Sequence, residues 1–300
     1  MENKTFIEIR RDYINIYLHN KKGKGNSFIM TRLYHLKKPF DGGTYQNLDL
    51  WRLYEAFTYE MTDGKMVKTL PYAVISAGEW ECALAISHTR DFHGGIHGYE
   101  HQKEFFAEAD GKPVDLDITQ DLWVSEFRFY QKSLIVKQET LDEPVCYHIK
   151  DYTFKDGAIE YAQEIEWLIE CNIQYSYLTM LPIRRTHDDT PTGEVISDRV
   201  MTNLSDEIYD IEKVGHETPI STMANRKQGV RYAKIWGEKS GVTAEVSIKR
   251  DDTPETDTFF VQNNASYNKL YFSYAGNGGK HDTKIHKKWN QTTRVELYRV

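Results

Sequence analysis

The segment from His93 to His101 contains three histidines and three glycines in the order His-Gly-Gly-Ile-His-Gly-Tyr-Glu-His. The histidines have the spacing of a metal-ligand row on a helix, but three glycines would cost that helix roughly 3 kcal/mol. A strand or loop fits better, because glycine permits a sharp chain path and a close approach of ligand to backbone. Strand alternation would turn His93, His97 and Tyr99 to one side, which suits proton transfer near neutral pH. A plain glycine-rich turn and a divalent-metal site on imidazole nitrogens are the alternatives.

A pair of arginines follows a segment that contains Tyr175 and Tyr177. Arg184 and Arg185 each offer a planar guanidinium fork that matches the geometry of a carboxylate. The sequence therefore predicts that this strand end binds a sugar carboxylate. A solvated rim of the fold is the alternative.

A polar and aromatic strand is predicted near residue 270. Alternation places a cation between two phenols on one face: Tyr267, Lys269 and Tyr271. The opposite face receives Asn268, Leu270, Phe272 and Tyr274. The first face predicts the lining of a saccharide groove, and a core face with a lysine that reaches solvent is the alternative.

Two carboxylates, Glu164 and Glu166, project from the same face of another predicted strand. Such a pair resembles the acid and base of a glycoside hydrolase. Glu160 and Glu170 extend the same face, so a solvated acidic surface is the favoured interpretation.

The elements that would position these groups are mainly strands. Period-two alternation is clearest over 13–18, 160–169 and 242–249, and each run predicts a strand with one buried face. A second alternating run, 230–236, lies just before the last of these and predicts a hairpin.

Helix is scarce in the pattern. Asp49 is a candidate N-cap for one short helix that would end at Gly64, and a second short turn is predicted near 102–108. The sequence thus predicts an all-β fold, a large β-sandwich of the jelly-roll or supersandwich type with one or two short helices. A single domain over 1–300 is expected, with a split near 190–220 as the alternative.

Composition limits the partners. With 38 basic and 45 acidic residues the net charge is −7, which argues against a nucleic-acid partner. The three cysteines form no CxxC pair, and the charged N-terminus predicts neither a signal peptide nor membrane insertion. The expected place of action is extracellular or on a virion, after synthesis in the cytoplasm. A homo-oligomer remains open.

Three short segments resemble motifs of β-sandwich polysaccharide lyases. Gly95-Ile96-His97 resembles their Gln-Ile-His motif with Gly in the first position. Tyr271-Phe272-Ser273-Tyr274-Ala275-Gly276 resembles their Tyr-Phe-Lys-x-Gly motif, and the stretch 294–299 resembles their arginine-rich strand. The chain also resembles phage tail-associated proteins that bind or degrade glycans, and Phe92-His93-Gly94-Gly95 is similar to the Leu-His-Gly-Gly of aldose mutarotases.

The resemblance implies β-elimination on a glycan that contains uronic acid. Under this hypothesis Arg184 or Arg185 neutralises the sugar carboxylate, His97 is the base and Tyr99 is the acid. A further set is expected to contact the polysaccharide or oligosaccharide: His93, His101, His148, Tyr177, Tyr267, Lys269 and Tyr271. No cofactor is expected, although a divalent cation on the histidines stays open. A glycan-binding or phage-tail receptor-binding module without catalysis is the second hypothesis, a glycoside hydrolase the third and a mutarotase the fourth.

Overall fold

A computed structural model of the protein describes residues 4–300 except 24–25, 44–45, 76–78, 81, 88–91, 187–193, 222–224, 253, 255, 277 and 280. The side chains of 70–75 also lie outside this description. Within the described residues the chain forms β-strands, turns and one 3-10 turn at Gly95–His97, with no α-helix. The prediction of an all-β, sandwich-like fold is therefore confirmed. Part of the alternative domain boundary near 190–220 lies outside the described residues.

The strands are numbered in chain order. The first eleven are β1 (Thr5–Arg10), β2 (Tyr13–His19), β3 (Ser27–Lys38), β4 (Gln46–Thr62), β5 (Lys65–Ile75), β6 (Ala83–Ile86), β7 (Gly98–Ala109), β8 (Lys112–Val114), β9 (Gln120–Val124), β10 (Glu126–Val136) and β11 (Pro144–Lys155). The others are β12 (Ala158–Trp167), β13 (Cys171–Arg184), β14 (Arg199–Thr202), β15 (Ser205–Asp210), β16 (Tyr232–Trp236), β17 (Val242–Arg250), β18 (Thr258–Asn263), β19 (Tyr267–Ser273), β20 (His281–Thr283) and β21 (Lys288–Arg299).

Most strands join one long ladder. Its order is β9–β1–β2–β3–β4–β7–β10–β11–β12–β21–β17–β16–β14–β15, and β8 pairs with β7. The pairs are antiparallel except β4 with β7, which is parallel. The hairpin predicted around 230–249 is confirmed as β16 and β17.

A second ladder branches from the far half of β4. β5 pairs with β4 and meets β13 at one residue pair, and β13 then pairs with β19, which pairs with β18. The N-terminal half of β13 also carries β6 and β20. This second ladder supports the pocket described below.

The main core lies between the two ladders. Side chains from the long ladder, such as Ile16 and Phe129, belong to the same buried cluster as Leu181, Leu270 and Phe272 from the second ladder. Burial of each such side chain contributes about 1.5–3 kcal/mol, so the contact of the two inner faces is the main source of stability. No helix in the described part of the chain has the length and apolar character that a membrane crossing requires.

Both predicted helices are strands in the structure. The segment after Asp49 continues β4, and the turn predicted near 102–108 lies within β7. Irregular register opposite Thr31 and Leu33, and again at Ala56 and Phe57, interrupts the alternation of β4. Apolar residues of β4 also pack in two different clusters: Trp51, Leu53 and Ala56 belong to the main core, whereas Phe57 and Met61 pack against a separate one. The two sets together produce spacings that imitate a helix.

Candidate functional site

A pocket of about 780 Å³ opens on the face of β13, β19 and β18 that points away from the main core. Its lining includes an aromatic set: Phe92, Tyr175, Tyr177, Phe260, Tyr267 and Tyr271. Besides the tyrosines, three ionisable side chains line the cavity: Glu79, His97 and Lys269. We call this cavity the aromatic pocket.

Strand alternation builds the floor of the aromatic pocket. In β19 the residues Asn268, Leu270 and Phe272 are buried toward the interior, and the residues between them line the pocket. The predicted division of this strand into two faces is confirmed over residues 267–272, whereas Tyr274 lies beyond the end of β19 and packs in a different buried cluster. In the register of the sheet, Tyr271 lies opposite Phe260 of β18 and Met180 of β13, and directly opposed residues share a face.

The aromatic rings contact one another around the cavity. The rings of Phe260 and Tyr271 are stacked with centroids 4.6 Å apart and an interplanar angle of 4°. Tyr177 meets Tyr271 edge-on at 4.9 Å and stacks on Tyr175 at 5.8 Å. Phe92 lies 5.9 Å from Tyr177, so a continuous aromatic wall crosses three strands and a loop.

The polar side of the pocket is an ion pair between Lys269 and Glu79. The Lys269 ammonium also lies 4.6 Å from the centroid of the Tyr271 ring. Burial lowers the pKa of Lys269, the carboxylate of Glu79 raises it, and the nearby charge of Arg52 lowers it again, with a net decrease. The pair places a donor and an acceptor side by side among aromatic rings.

The glycine-rich segment reaches the pocket as a turn, because Gly95–His97 is a single 3-10 turn between Gly94 (φ 88°) and Gly98 (φ 91°). The expected sharp chain path is confirmed, and the expected strand alternation of His93, His97 and Tyr99 is wrong. His97 lines the aromatic pocket with its ring 5.2 Å from Phe92.

A substitution at Gly98 tests whether the chain path of the turn requires glycine at this position. A Cβ at Gly98 would overlap the carbonyl oxygen of Gln46, and its φ is one that L-residues rarely adopt. We expect Gly98→Ala to lower the free energy of unfolding by about 3 kcal/mol. Gly111→Ala is the matched control, because Gly111 also has positive φ (73°) but open space at its Cβ, and should cost about 1 kcal/mol. Chemical denaturation measures both; equal losses would remove the close contact with Gln46 as the cause.

Behind the turn lies a buried charged network. Both oxygens of Glu100 are used: one accepts the Gly95 N–H at 2.6 Å, and the other accepts the Ser133 hydroxyl and lies 3.1 Å from His148 Nδ1. Lys150 Nζ is 3.4 Å from the same carboxylate, and Glu100, His148 and Lys150 are all 0% exposed.

Burial and the contacts within this network shift the pKa values of Glu100 and His148. Burial alone would raise the pKa of Glu100, but the charge of Lys150 and the hydrogen bonds from His148 and Ser133 outweigh it and hold that pKa well below its ordinary value. Burial lowers the pKa of His148, which favours the neutral ring. Gln163 Nε2, 3.2 Å from His148 Nε2, supports the tautomer that donates from Nδ1 to Glu100. His148 therefore lies in the core, and the prediction that it contacts a ligand does not fit its position.

Other predicted residues also lie away from the lining. His93 is 0% exposed and Tyr99 9%, with their rings 5.8 Å apart beneath the turn. His101 is half-buried in β7 opposite Asp49 and Leu134. The described lining thus holds five of the predicted site residues, namely His97, Tyr177, Tyr267, Lys269 and Tyr271.

The two arginines do not share a site. Arg184 lies opposite Tyr267 and so leaves the strand on the face of the aromatic pocket, but it does not line the cavity. Arg185 is buried, and its guanidinium donates to the carbonyl oxygen of Glu212. Of the four residues predicted to perform elimination, His97 alone belongs to the described lining.

The remaining candidates are paired on the surface or scattered. Glu164 forms an ion pair with Lys288 at 2.8 Å, and Glu166 lies 3.8 Å from the same ammonium, as expected of a solvated face. In the described parts of the chain no three His, Cys, Asp or Glu side chains come together as a metal-binding group.

No protein-family model and no curated protein sequence matches the chain. Among solved structures, a glycoside hydrolase family 97 enzyme from Pseudoalteromonas sp. strain K8 superposes on 94% of this chain with a TM-score of 0.44 and 8% identity. The chain spans only 35% of that enzyme's length.

Two further solved structures are similar in length to this chain. Galactose 1-epimerase from Lactobacillus acidophilus NCFM covers 99% of this chain, and 98% of its own length is matched, with a TM-score of 0.40 and 8% identity. The Slr1438 protein from Synechocystis sp. PCC 6803 covers 97%, with 98% of its length matched, a TM-score of 0.41 and 10% identity. None of these likenesses assigns the chain to a family.

Proposed function

We propose that the protein binds a saccharide in the aromatic pocket. The observation that supports this function is the placement of stacked rings, above all Tyr271, Phe260 and Tyr177, beside the Lys269–Glu79 pair in one cavity. A pyranose ring has apolar C–H faces and a rim of hydroxyl groups. Flat aromatic rings match the faces, and a charged donor and acceptor match the rim.

The size of the cavity agrees with this function. Its volume of about 780 Å³ falls within the range of roughly 300–1,000 Å³ that is usual for small-molecule sites. The lining consists mainly of aromatic and other apolar side chains, with a few polar groups that converge, which is the composition expected of a site that orients one ligand. A cluster of rings that served only as core would fill this space.

Catalysis is a finer hypothesis than binding. Elimination needs a base, an acid and a cation around one sugar, and hydrolysis normally needs two carboxylates. His97 is the predicted base that lines the pocket, and Glu79 is the carboxylate within the described lining. Binding is therefore the function that we propose, and the catalytic hypotheses are tested beside it.

The test is calorimetric titration with a panel of neutral and uronate oligosaccharides. We expect saturable binding of at least one glycan with one site per chain, and no binding anywhere in the panel would refute the proposal. The same mixtures are followed for ultraviolet absorbance of an unsaturated product and for new reducing ends. The first signal would establish elimination and the second hydrolysis.

A further inference from the structure

Lys269 is the more deeply buried member of the ion pair in the aromatic pocket. The side chain of Lys269 is 2% exposed and that of Glu79 is 23% exposed. A buried ammonium needs a nearby negative charge, because removal of one partner from a buried pair leaves an uncompensated charge. The carboxylate of Glu79 is thus needed where it lies, on the solvent side of Lys269.

This pairing disfavours the binding of an anionic ligand near Lys269. A ligand carboxylate would have to displace Glu79 from Lys269 or lie beside the Glu79 carboxylate, and two adjacent carboxylates repel each other. Neither arrangement adds an ion pair at Lys269, because Glu79 already balances the charge of that ammonium. A neutral ligand encounters neither cost.

The pair nevertheless retains hydrogen-bonding capacity. An ammonium has three N–H donors and a carboxylate has about four acceptor positions, and the contact between Lys269 and Glu79 uses only part of each set. Neighbouring hydroxyls on a sugar can divide the two roles. One hydroxyl accepts from Lys269 Nζ while the next donates to a carboxylate oxygen of Glu79.

The aromatic rings fix where the rest of the sugar lies. Lys269 Nζ is 4.6 Å from the centroid of Tyr271 and 5.9 Å from that of Tyr267. A sugar whose hydroxyls reach the ion pair therefore has its ring adjacent to these two phenols. One face of β19 thus provides the polar contact from Lys269 and the apolar contacts from Tyr267 and Tyr271.

We propose that the aromatic pocket selects a neutral sugar unit with two neighbouring free hydroxyls, held by the intact Lys269–Glu79 pair. The proposal rests on the saccharide-binding function proposed above. It makes Glu79 and Lys269 specificity-determining residues: the carboxylate excludes uronates, and the pair reads two hydroxyls. Uronates, the substrates implied by the sequence resemblance, are then the poorer ligands.

Calorimetric titration of the full chain with methyl glycosides of neutral sugars and of the matching uronic acids tests this selectivity. We expect at least one neutral glycoside to have a Kd about tenfold lower than that of its matching uronate, or lower still. Removal of either of the two neighbouring hydroxyls should weaken binding by a similar factor. A uronate that binds as tightly as its neutral counterpart would overturn the selectivity but leave the saccharide-binding function intact, whereas no binding of any sugar would remove the function itself.

Substitutions of Glu79 and Lys269 test whether these two residues cause the selectivity. Glu79→Gln keeps an amide of similar shape without the charge, so the ratio of neutral to uronate affinity should fall by about tenfold. Glu126→Gln is the matched control, since Glu126 pairs with Lys155 at 3.0 Å far from the lining, and its ratio should equal that of the wild type. Lys269→Met removes the cation and should lose binding, whereas Lys269→Arg preserves the cation and should retain it; a thermal unfolding curve of each variant checks that it is folded. An unchanged ratio in Glu79→Gln would show that Glu79 does not exclude uronates.

Discussion

Replacement of Glu100 by glutamine is expected to lower the free energy of unfolding by about 3–5 kcal/mol at neutral pH. The substitution keeps an oxygen that can accept the Gly95 N–H, but it removes the negative charge 3.4 Å from the fully buried Lys150 ammonium. The loss therefore reflects the removal of a buried negative charge beside a buried cation and not a missing backbone contact. Urea unfolding of the wild type and the variant measures it.

The pH dependence identifies the cause. The pKa of Glu100 is lower in the folded protein than its ordinary value of 4.5, so its contribution is fully present above pH 4.5 and is lost as the pH falls toward the folded pKa. The stability difference between wild type and Glu100→Gln should accordingly shrink below pH 4.5. A difference that stays constant there would show that charge is not responsible.

A double variant is the control for this interpretation. Glu100→Gln combined with Lys150→Met removes both charges and should cost less than the sum of the two single substitutions. Additive losses would mean that the two side chains act independently. The outcome matters for the pocket as well, since Glu100 holds the turn that carries His97.

Local alternation made much of the fold predictable. β12 and β17 each have one largely buried face, so their apolar residues repeat every second position and the pattern identifies them. β2 and β19 keep the same alternation in sequence, although residues on both of their faces are buried. The same reasoning failed for β4, because its register is irregular where it pairs with β3 and again where it pairs with β5. Pairing with β3 and β5 decides those irregularities, and no local pattern contains that information.

The site was predictable only where a strand builds it. The pocket face of β19 follows from alternation alone, whereas Glu79 and Phe92 lie outside strands and reach the pocket through the path of the chain. Arg184 and Arg185 show a usable signal: adjacent residues near a strand end diverge, so two neighbours rarely serve one ligand. The buried contacts of His148 come from neighbouring strands of the sheet, through Ser133 of β10 and Glu100 of β7, which spacing cannot reveal.

Replacement of Tyr271 by alanine is expected to weaken saccharide binding by about 2 kcal/mol, or about 30-fold in Kd. Tyr271 is the ring shared by the apolar and polar sides of the pocket: it stacks on Phe260, meets Tyr177 edge-on and lies beneath the Lys269 ammonium. Its removal interrupts the aromatic wall that a sugar would contact and deletes the support of the cation together. Calorimetric titration with the glycan that binds the wild type measures the change.

Two variants separate the ring from its hydroxyl and from a general effect on the fold. Tyr271→Phe retains the ring and loses the hydroxyl that donates to Gln262 at 2.8 Å, so most of the affinity should remain. Tyr147→Ala removes a ring that also lies beneath a lysine, with Lys132 Nζ 4.3 Å from its centroid, but outside the pocket lining, and it should bind as the wild type does. Wild-type affinity in a folded Tyr271→Ala variant would place the sugar elsewhere on the protein. Equal losses in Tyr271→Ala and Tyr271→Phe would instead assign the contact to the hydroxyl, because stacking depends on the ring that phenylalanine keeps.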